Sequence, residues 1–190
     1  MKKIILALFF VFVTVLPQVS KASFLIDPYI GYKLGWDNRT LSQGGVSADL
    51  DFTRNGVMYG ARAGYQFLGF MAGLEYGMGS GLTGELAAGS VGNFNVPGSK
   101  SDYDASYMGL FVGYELPIML RAWATYYFDA NWEAEDGTKT ELTAISLGVG
   151  FTGLPFVSLN AEYRMNTFND NSDFETNGEV FLSASLPLNL

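Results

Sequence analysis

Val57-Met58-Tyr59-Gly60-Ala61-Arg62-Ala63-Gly64-Tyr65-Gln66-Phe67 alternates in steps of two. Val57, Tyr59, Ala61, Ala63, Tyr65 and Phe67 are apolar or aromatic, while Met58, Gly60, Arg62, Gly64 and Gln66 are mostly small or polar. A period of two belongs to a strand, whose successive side chains point to opposite faces. Working outward, Leu25–Trp36 sets Ile26, Ile30, Tyr32, Leu34 and Trp36 against Asp27, Gly31, Lys33 and Gly35, with Tyr29 the exception. The same division recurs in Phe70–Met78, Ala105–Leu116, Ile118–Phe128, Thr143–Phe151, Val157–Met165 and Glu179–Leu190. That predicts eight strands, each about the 9–11 residues that cross a bilayer when tilted.

The connections alternate as well. Asp37–Asn55, Gly79–Asp104, Asp129–Leu142 and Asn166–Gly178 are long and polar, whereas Leu68-Gly69, Pro117 and Thr152-Gly153-Leu154-Pro155 mark tight turns. Long loops at one end and short turns at the other fit an up-and-down membrane barrel with both termini in the periplasm. A weak repeat supports a hairpin unit: Gly60-x3-Gly64-Tyr65, Gly109-x3-Gly113-Tyr114 and the looser Gly148-x-Gly150-Phe151 each precede a turn.

Two inverse barrels share this alternation. A soluble one would put the bulky face around a ligand cavity; a membrane one would turn it to lipid. An eight-stranded barrel is only just wide enough for side chains. The bulky set of Tyr32, Trp36, Tyr59, Tyr65, Phe67, Phe70, Tyr76, Tyr114, Tyr126, Phe128, Phe151 and Tyr163 cannot all fit inside. The opposite face is rich in glycine, which suits crowded backbones in a narrow lumen better than a solvated strand. The aromatics also gather near strand ends, Trp36, Tyr59, Tyr76 and Phe128 towards the loops, and Phe67, Phe70, Tyr114 and Phe151 towards the turns. Two such belts are the interfacial girdles of a membrane barrel. The predicted fold class is therefore all-β: a closed antiparallel eight-stranded up-and-down transmembrane β-barrel. Closure is obligatory, because unpaired backbone groups are untenable in hydrocarbon. The last strand carries Val180, Leu182, Ala184, Leu186, Leu188 and Leu190 on the outward parity to the chain end.

The N-terminus has the parts of a secretory leader: basic Lys2-Lys3, apolar Ile4–Leu16, and Ser20 and Ala22 at the positions before cleavage. The apolar run falls short of the roughly 20 residues that span a bilayer as a helix. Residues 1–22 are expected to be a cleavable signal peptide and residues 23–190 a single barrel domain. Loss of Lys2, Lys3 and Lys21 would take the formal charge three units below its value of −8. So acidic a chain lacks the basic stripe that nucleic acid requires. With no cysteine, disulfides and thiolate metal sites are excluded.

Asp27-Pro28-Tyr29-Ile30-Gly31-Tyr32-Lys33-Leu34-Gly35-Trp36, the glycine-aromatic strands and the amphipathic last strand resemble the small outer-membrane barrels of the OmpA transmembrane domain and its OmpX- and OmpW-like relatives. The resemblance spans the mature chain. It implies a location in the cell outer membrane of a Gram-negative bacterium, reached by export across the inner membrane. It also implies contact with outer-membrane lipid and lipopolysaccharide, insertion by the outer-membrane assembly machinery, and a monomer. Family members commonly end in an aromatic residue that aids assembly; this chain ends in Leu190.

Parity places Lys33, Arg62, Arg121 and Arg164 in the lumen with Glu75, Glu115, Glu162 and Glu179, and Asp27 near the periplasmic rim. Opposite charges in a narrow barrel are expected to pair and plug it. Arg62, Glu75, Glu115, Arg121, Glu162 and Arg164 form the predicted centre. A gated pore is the alternative that resemblance to the OmpA family keeps open. The chain has no histidine, which removes imidazole-based nucleophilic, metal and acyl-transfer chemistry. The loop charges, among them Asp37, Asp49, Asp51, Asp102, Asp104 and Asp173 against Arg39, Arg54, Lys100 and Lys139, read as a solvated outer surface. Asp170–Glu175 is the densest acidic patch but lacks EF-hand spacing. The expected function is a non-enzymatic barrel, without cofactor or metal, in a structural or surface-interaction role. A narrow channel or carrier for small solutes is the alternative.

Overall fold

The computed structural model describes residues 22–43, 46–91, 94–168 and 177–190. The expected leader, apart from Ala22, and the acidic patch at 170–175 lie outside them. The barrel strands are β1 (Ser23–Gln43), β2 (Val46–Phe67), β3 (Phe70–Leu86), β4 (Ser99–Leu116), β5 (Leu120–Ala134), β6 (Lys139–Phe151), β7 (Ser158–Phe168) and β8 (Asn177–Ser185). Leu188–Asn189 continues β8 beyond Leu186-Pro187. A small ribbon, Gly89–Val91 with Phe94–Val96, lies between β3 and β4.

Each strand pairs antiparallel with the next, and β1 pairs with β8 from Tyr29↔Ser185 to Trp36↔Gly178. Leu25↔Asn189 and Ile26↔Leu188 extend the seam, and Phe24 and Leu190 exchange two backbone hydrogen bonds of 2.9 Å. The sheet thus closes with no edge along the membrane-crossing part.

Burial follows the predicted parity in that part. Outward Val112, Leu147 and Leu182, at mid-height, are 62%, 58% and 51% exposed although apolar. Outward apolar residues encircle the barrel on every strand, far beyond the patch a water-soluble monomer tolerates. The girdle residues Trp36, Tyr59, Phe67, Phe70, Tyr76, Phe128 and Phe151 all face out; Tyr114 is half-buried, its ring 4.7 Å from that of Phe70.

The expected long loops are corrected. Strands run well past the outer girdle, so Asp37–Gln43, Val46–Asn55, Gly79–Leu86, Ser99–Asp104 and Asp129–Ala134 are sheet. Sequence alternation broke at Gly79 and Asp129 because β-bulges sit there. On β3 the pairing with β4 passes from Gly79↔Ala105 to Leu82↔Tyr103, leaving Ser80 and Gly81 opposite Asp104. Gly81 takes φ +64°, and its N–H donates to Asp104 Oδ1 at 2.9 Å. On β5, Phe128 is the extra residue between Tyr127↔Gly109 and Asp129↔Met108. One inserted residue exchanges the two faces, so Leu82, Ala130 and Trp132 turn inward beyond the bulges. At the other end, Ile118 and Val157 fall in turns rather than strands.

Candidate functional site: a charged and aromatic lumen

Along β1, Leu25, Asp27, Tyr29 and Lys33 climb the lumen in order, all buried. Leu25, Met71 and Phe111 form an apolar cap at the short-turn end, the one the sequence reading expects in the periplasm. Above it sits the lower charge cluster. Arg62, from β2, lies 3.2 Å from each of three carboxylates: Nη1 to Asp27, Nε to Glu75 and Nη2 to Glu162. Arg121 Nη1 reaches Asp27 at 2.9 Å, and Arg164 Nη2 reaches Glu162 at 2.9 Å. Every one of these groups is at most 3% exposed.

Neutral partners supply part of the shell that a buried ion pair requires, while Asp27 Oδ1 and Glu75 Oε1 have no hydrogen-bond partner. Thr125 donates to Glu75 at 2.8 Å and Tyr127 to Glu162 at 3.1 Å. Arg121 donates to Ser185 at 2.7 Å and to Asn160 at 2.9 Å. Aromatic faces cover the cations: Arg62 lies 4.3 Å from the Trp123 ring, and Arg164 lies 4.2 Å and 4.5 Å from those of Tyr107 and Tyr127. Desolvated contacts of this kind contribute about 2 kcal/mol each.

The upper level is smaller. Lys33 Nζ donates to Glu179 Oε1 at 3.1 Å, with Tyr103, Tyr107 and Trp132 rings within 6 Å of the ammonium. Trp132 Nε1 donates to the Tyr107 hydroxyl at 2.7 Å, and Arg54 lies 4.1 Å over the Trp132 ring.

Of the predicted lumen charges, Lys33, Arg62, Glu75, Arg121, Glu162, Arg164 and Glu179 are brought together inside, and Glu115 is not. Glu115 stands opposite Arg121 in the ladder, but Arg121 turns up to Asp27. Glu115 instead opens on the periplasmic mouth and accepts from Gln66 Nε2 at 2.6 Å. Asp27 is also relocated, from the rim to the middle of the lower cluster, where two arginines share its Oδ2. Arg54, expected in a solvated loop, is 4% exposed within the barrel, because β2 continues past the membrane.

The larger omission is aromatic. Tyr29, Tyr107, Phe111, Trp123, Tyr127, Trp132 and Phe181 are all buried in the lumen. Glycines make the room: a Cβ on Gly148 would strike the Trp123 indole, and one on Gly60 the Tyr29 phenol. Their parity was the available signal, since Trp123 follows Arg121, and Phe181 follows Glu179, by two residues.

Side chains therefore divide the lumen into two mouths. The periplasmic one holds a cavity of about 550 Å³ bordered by Ser23, Gln66, Glu115 and Met119. The outer one holds about 390 Å³ bordered by Arg54, Tyr103, Trp132 and Phe168. Between them, beside Asp27, Arg62 and Arg121, is a void of about 10 Å³, room for a single water. Among the described residues no cluster of carboxylates has metal-ligating geometry.

Fold and lumen define the class: a small membrane-spanning β-barrel of the outer-membrane type. The sequence matches no protein-family model and no curated protein. Solved structures show the likeness instead. The outer membrane protein AlkL, solved in DMPC bilayers, aligns with a TM-score of 0.51 over 88% of this chain and 91% of its own, at 13% identity. Ail, the attachment invasion locus protein of Yersinia pestis, aligns at 0.47 over 87% and 99%, at 13% identity. Neisserial surface protein A aligns at 0.46 over 90% and 99%, at 16% identity. At such identities the likeness is one of fold.

Proposed function

We propose that this protein is a non-enzymatic barrel of the outer membrane, with a lumen closed to solutes and a structural or surface-interaction role. The observation that carries this reading is the run of buried, paired charges and rings between the two mouths, with a void of about 10 Å³ between the apolar cap and the lower charge cluster. A hydrated ion has no path unless several buried pairs part together, and parting one strands a charge at a cost of about 3–5 kcal/mol. The absence of histidine supports a non-catalytic role, as does the pairing of each acid of the lower cluster with an arginine. The acidic outer surface suits contact with lipopolysaccharide through shared divalent cations. Export by the N-terminal leader, insertion by the outer-membrane assembly machinery and a monomeric state belong to the same reading.

Single-channel recording of the refolded chain in a planar bilayer tests it. Silence, with insertion established separately, is the expected result. Discrete openings that change on Arg121→Ala would replace this reading with a narrow channel or carrier for small solutes.

A further inference from the structure

Among the described residues, three that are not glycine have positive φ: Leu68 at +50°, Met119 at +61° and Phe156 at +65°. There is one in each of the short turns, β2–β3, β4–β5 and β6–β7. A turn in water at such φ favours Gly, Asn or Asp, which relieve the backbone and are hydrophilic as well. Here the left-handed positions carry Leu, Met and Phe. Leu68-Gly69, with both φ values positive, occupies a hairpin where Asn-Gly is the usual pair.

The neighbours are of the same kind. Phe156 is 88% exposed and Ile118 63%, with Leu154, Pro117 and Pro155 also exposed. None of the three turns contains a charged residue. Leu68 and Met119 also border the periplasmic mouth, while Ile118 and Phe156 do not. The turns form one rim: Glu115 N–H donates to Gly69 O at 2.7 Å and Thr152 N–H to Met119 O at 2.8 Å. That rim continues the lipid-facing belt through Phe67, Phe70, Leu120 and Phe151, all exposed. At the opposite end the strands finish among exposed Glu85, Lys100, Asp104, Glu133, Asp136 and Lys139.

We propose that the short-turn rim is a phospholipid-docking surface, sunk into the interfacial region of the inner leaflet rather than standing in the periplasm. Apolar side chains at the headgroup–acyl boundary exchange water for hydrocarbon, which favours them where Asn or Asp would be favoured in solution. The barrel then sits off-centre, nearly flush with the inner leaflet and projecting from the outer one. This rests on the membrane-barrel reading above.

The chain has no cysteine, so single cysteines report cleanly. Phe156→Cys and Ile118→Cys, labelled with an environment-sensitive fluorophore, are placed in phosphatidylcholine nanodiscs, whose two faces are both open to solvent. Asp136→Cys is the water-exposed control and Leu147→Cys the mid-belt control; heat-dependent gel mobility establishes folding. Expected at 118 and 156 are blue-shifted emission, loss of most emission to a nitroxide carried near the lipid headgroup, and little loss to iodide. Iodide quenching at both positions as strong as at 136, with 147 still dry, would overturn the docking surface alone. Iodide quenching at 147 as well would overturn the membrane-barrel reading with it.

Discussion

Two lysine–glutamate pairs at different heights have nearly the same geometry and opposite settings. Lys33–Glu179 spans 3.1 Å with both side chains 1% exposed; Lys139–Glu133 spans 3.2 Å with 63% and 48% exposed. At that separation the bare attraction is on the order of 1 kcal/mol in water and several-fold greater at the effective dielectric of a protein. The buried pair has lost its hydration, so its charges depend on each other and on the rings around them. The exposed pair can be solvated by water whenever it parts. Distance alone therefore says little about what a pair contributes.

Arg62→Ala should sharpen that contrast most, because it strands Glu75 and takes one of two cations from each of Asp27 and Glu162. A loss of at least about 3–5 kcal/mol is expected, measured by urea unfolding of the lipid-refolded protein and seen in the limit as a barrel that does not form. Glu179→Ala, leaving Lys33 buried without its carboxylate, should cost about 3–5 kcal/mol by the same assay. The double change Lys33→Met with Glu179→Leu should recover much of that loss, since removing both charges removes the stranded one. A double variant as unstable as the single would break the comparison, by showing that shape rather than charge governs this level. Lys139→Ala should cost at most about 1 kcal/mol and lose its effect in high salt.

The smallest expected effect is at the β3 bulge. The Gly81 N–H and the Ser80 side chain hold the Asp104 carboxyl below the usual carboxylate range. A depressed acid stabilises the folded form above its unfolded value and loses that contribution as pH falls through its folded one. As pH falls below about 4, the value of an exposed carboxylate, the protection of the Gly81 amide relative to its intrinsic exchange rate should fall slightly. An Asp104→Asn barrel should lack this pH response.

Closure, strand number and the lipid-facing side were legible because, for residues 25–36 and 57–67, one face is bulky and the other small or charged. The alternation fails in the outer third, where Gly81 and Phe128 each insert a residue. A bulge reverses parity, and a reversed alternation looks like a strand's end. That reversal hides Trp132, whereas Arg54 keeps the inward parity of Met58 and Arg62 on β2 and is hidden only by the polar residues around it, which resemble a loop. The charges of the lumen were legible from parity, but their partners were not. Glu115 and Arg121 are cross-strand neighbours, yet Arg121 reaches up to the fully buried Asp27 while Glu115 opens on the mouth. The lumen aromatics were hidden by the expectation that large rings belong outside, although the glycines facing them were already in view.

The ladder between Phe24 and Leu190 joins segments more than 160 residues apart in sequence. Bringing such distant segments together carries a loop-closure cost on the order of 4–5 kcal/mol. No hairpin can offset that cost until the other strands are in place. Pro28 and Pro187, which offer no N–H, lie at this same seam. The seam should therefore zip last when the protein assembles, making barrel formation slow and concerted rather than strand by strand.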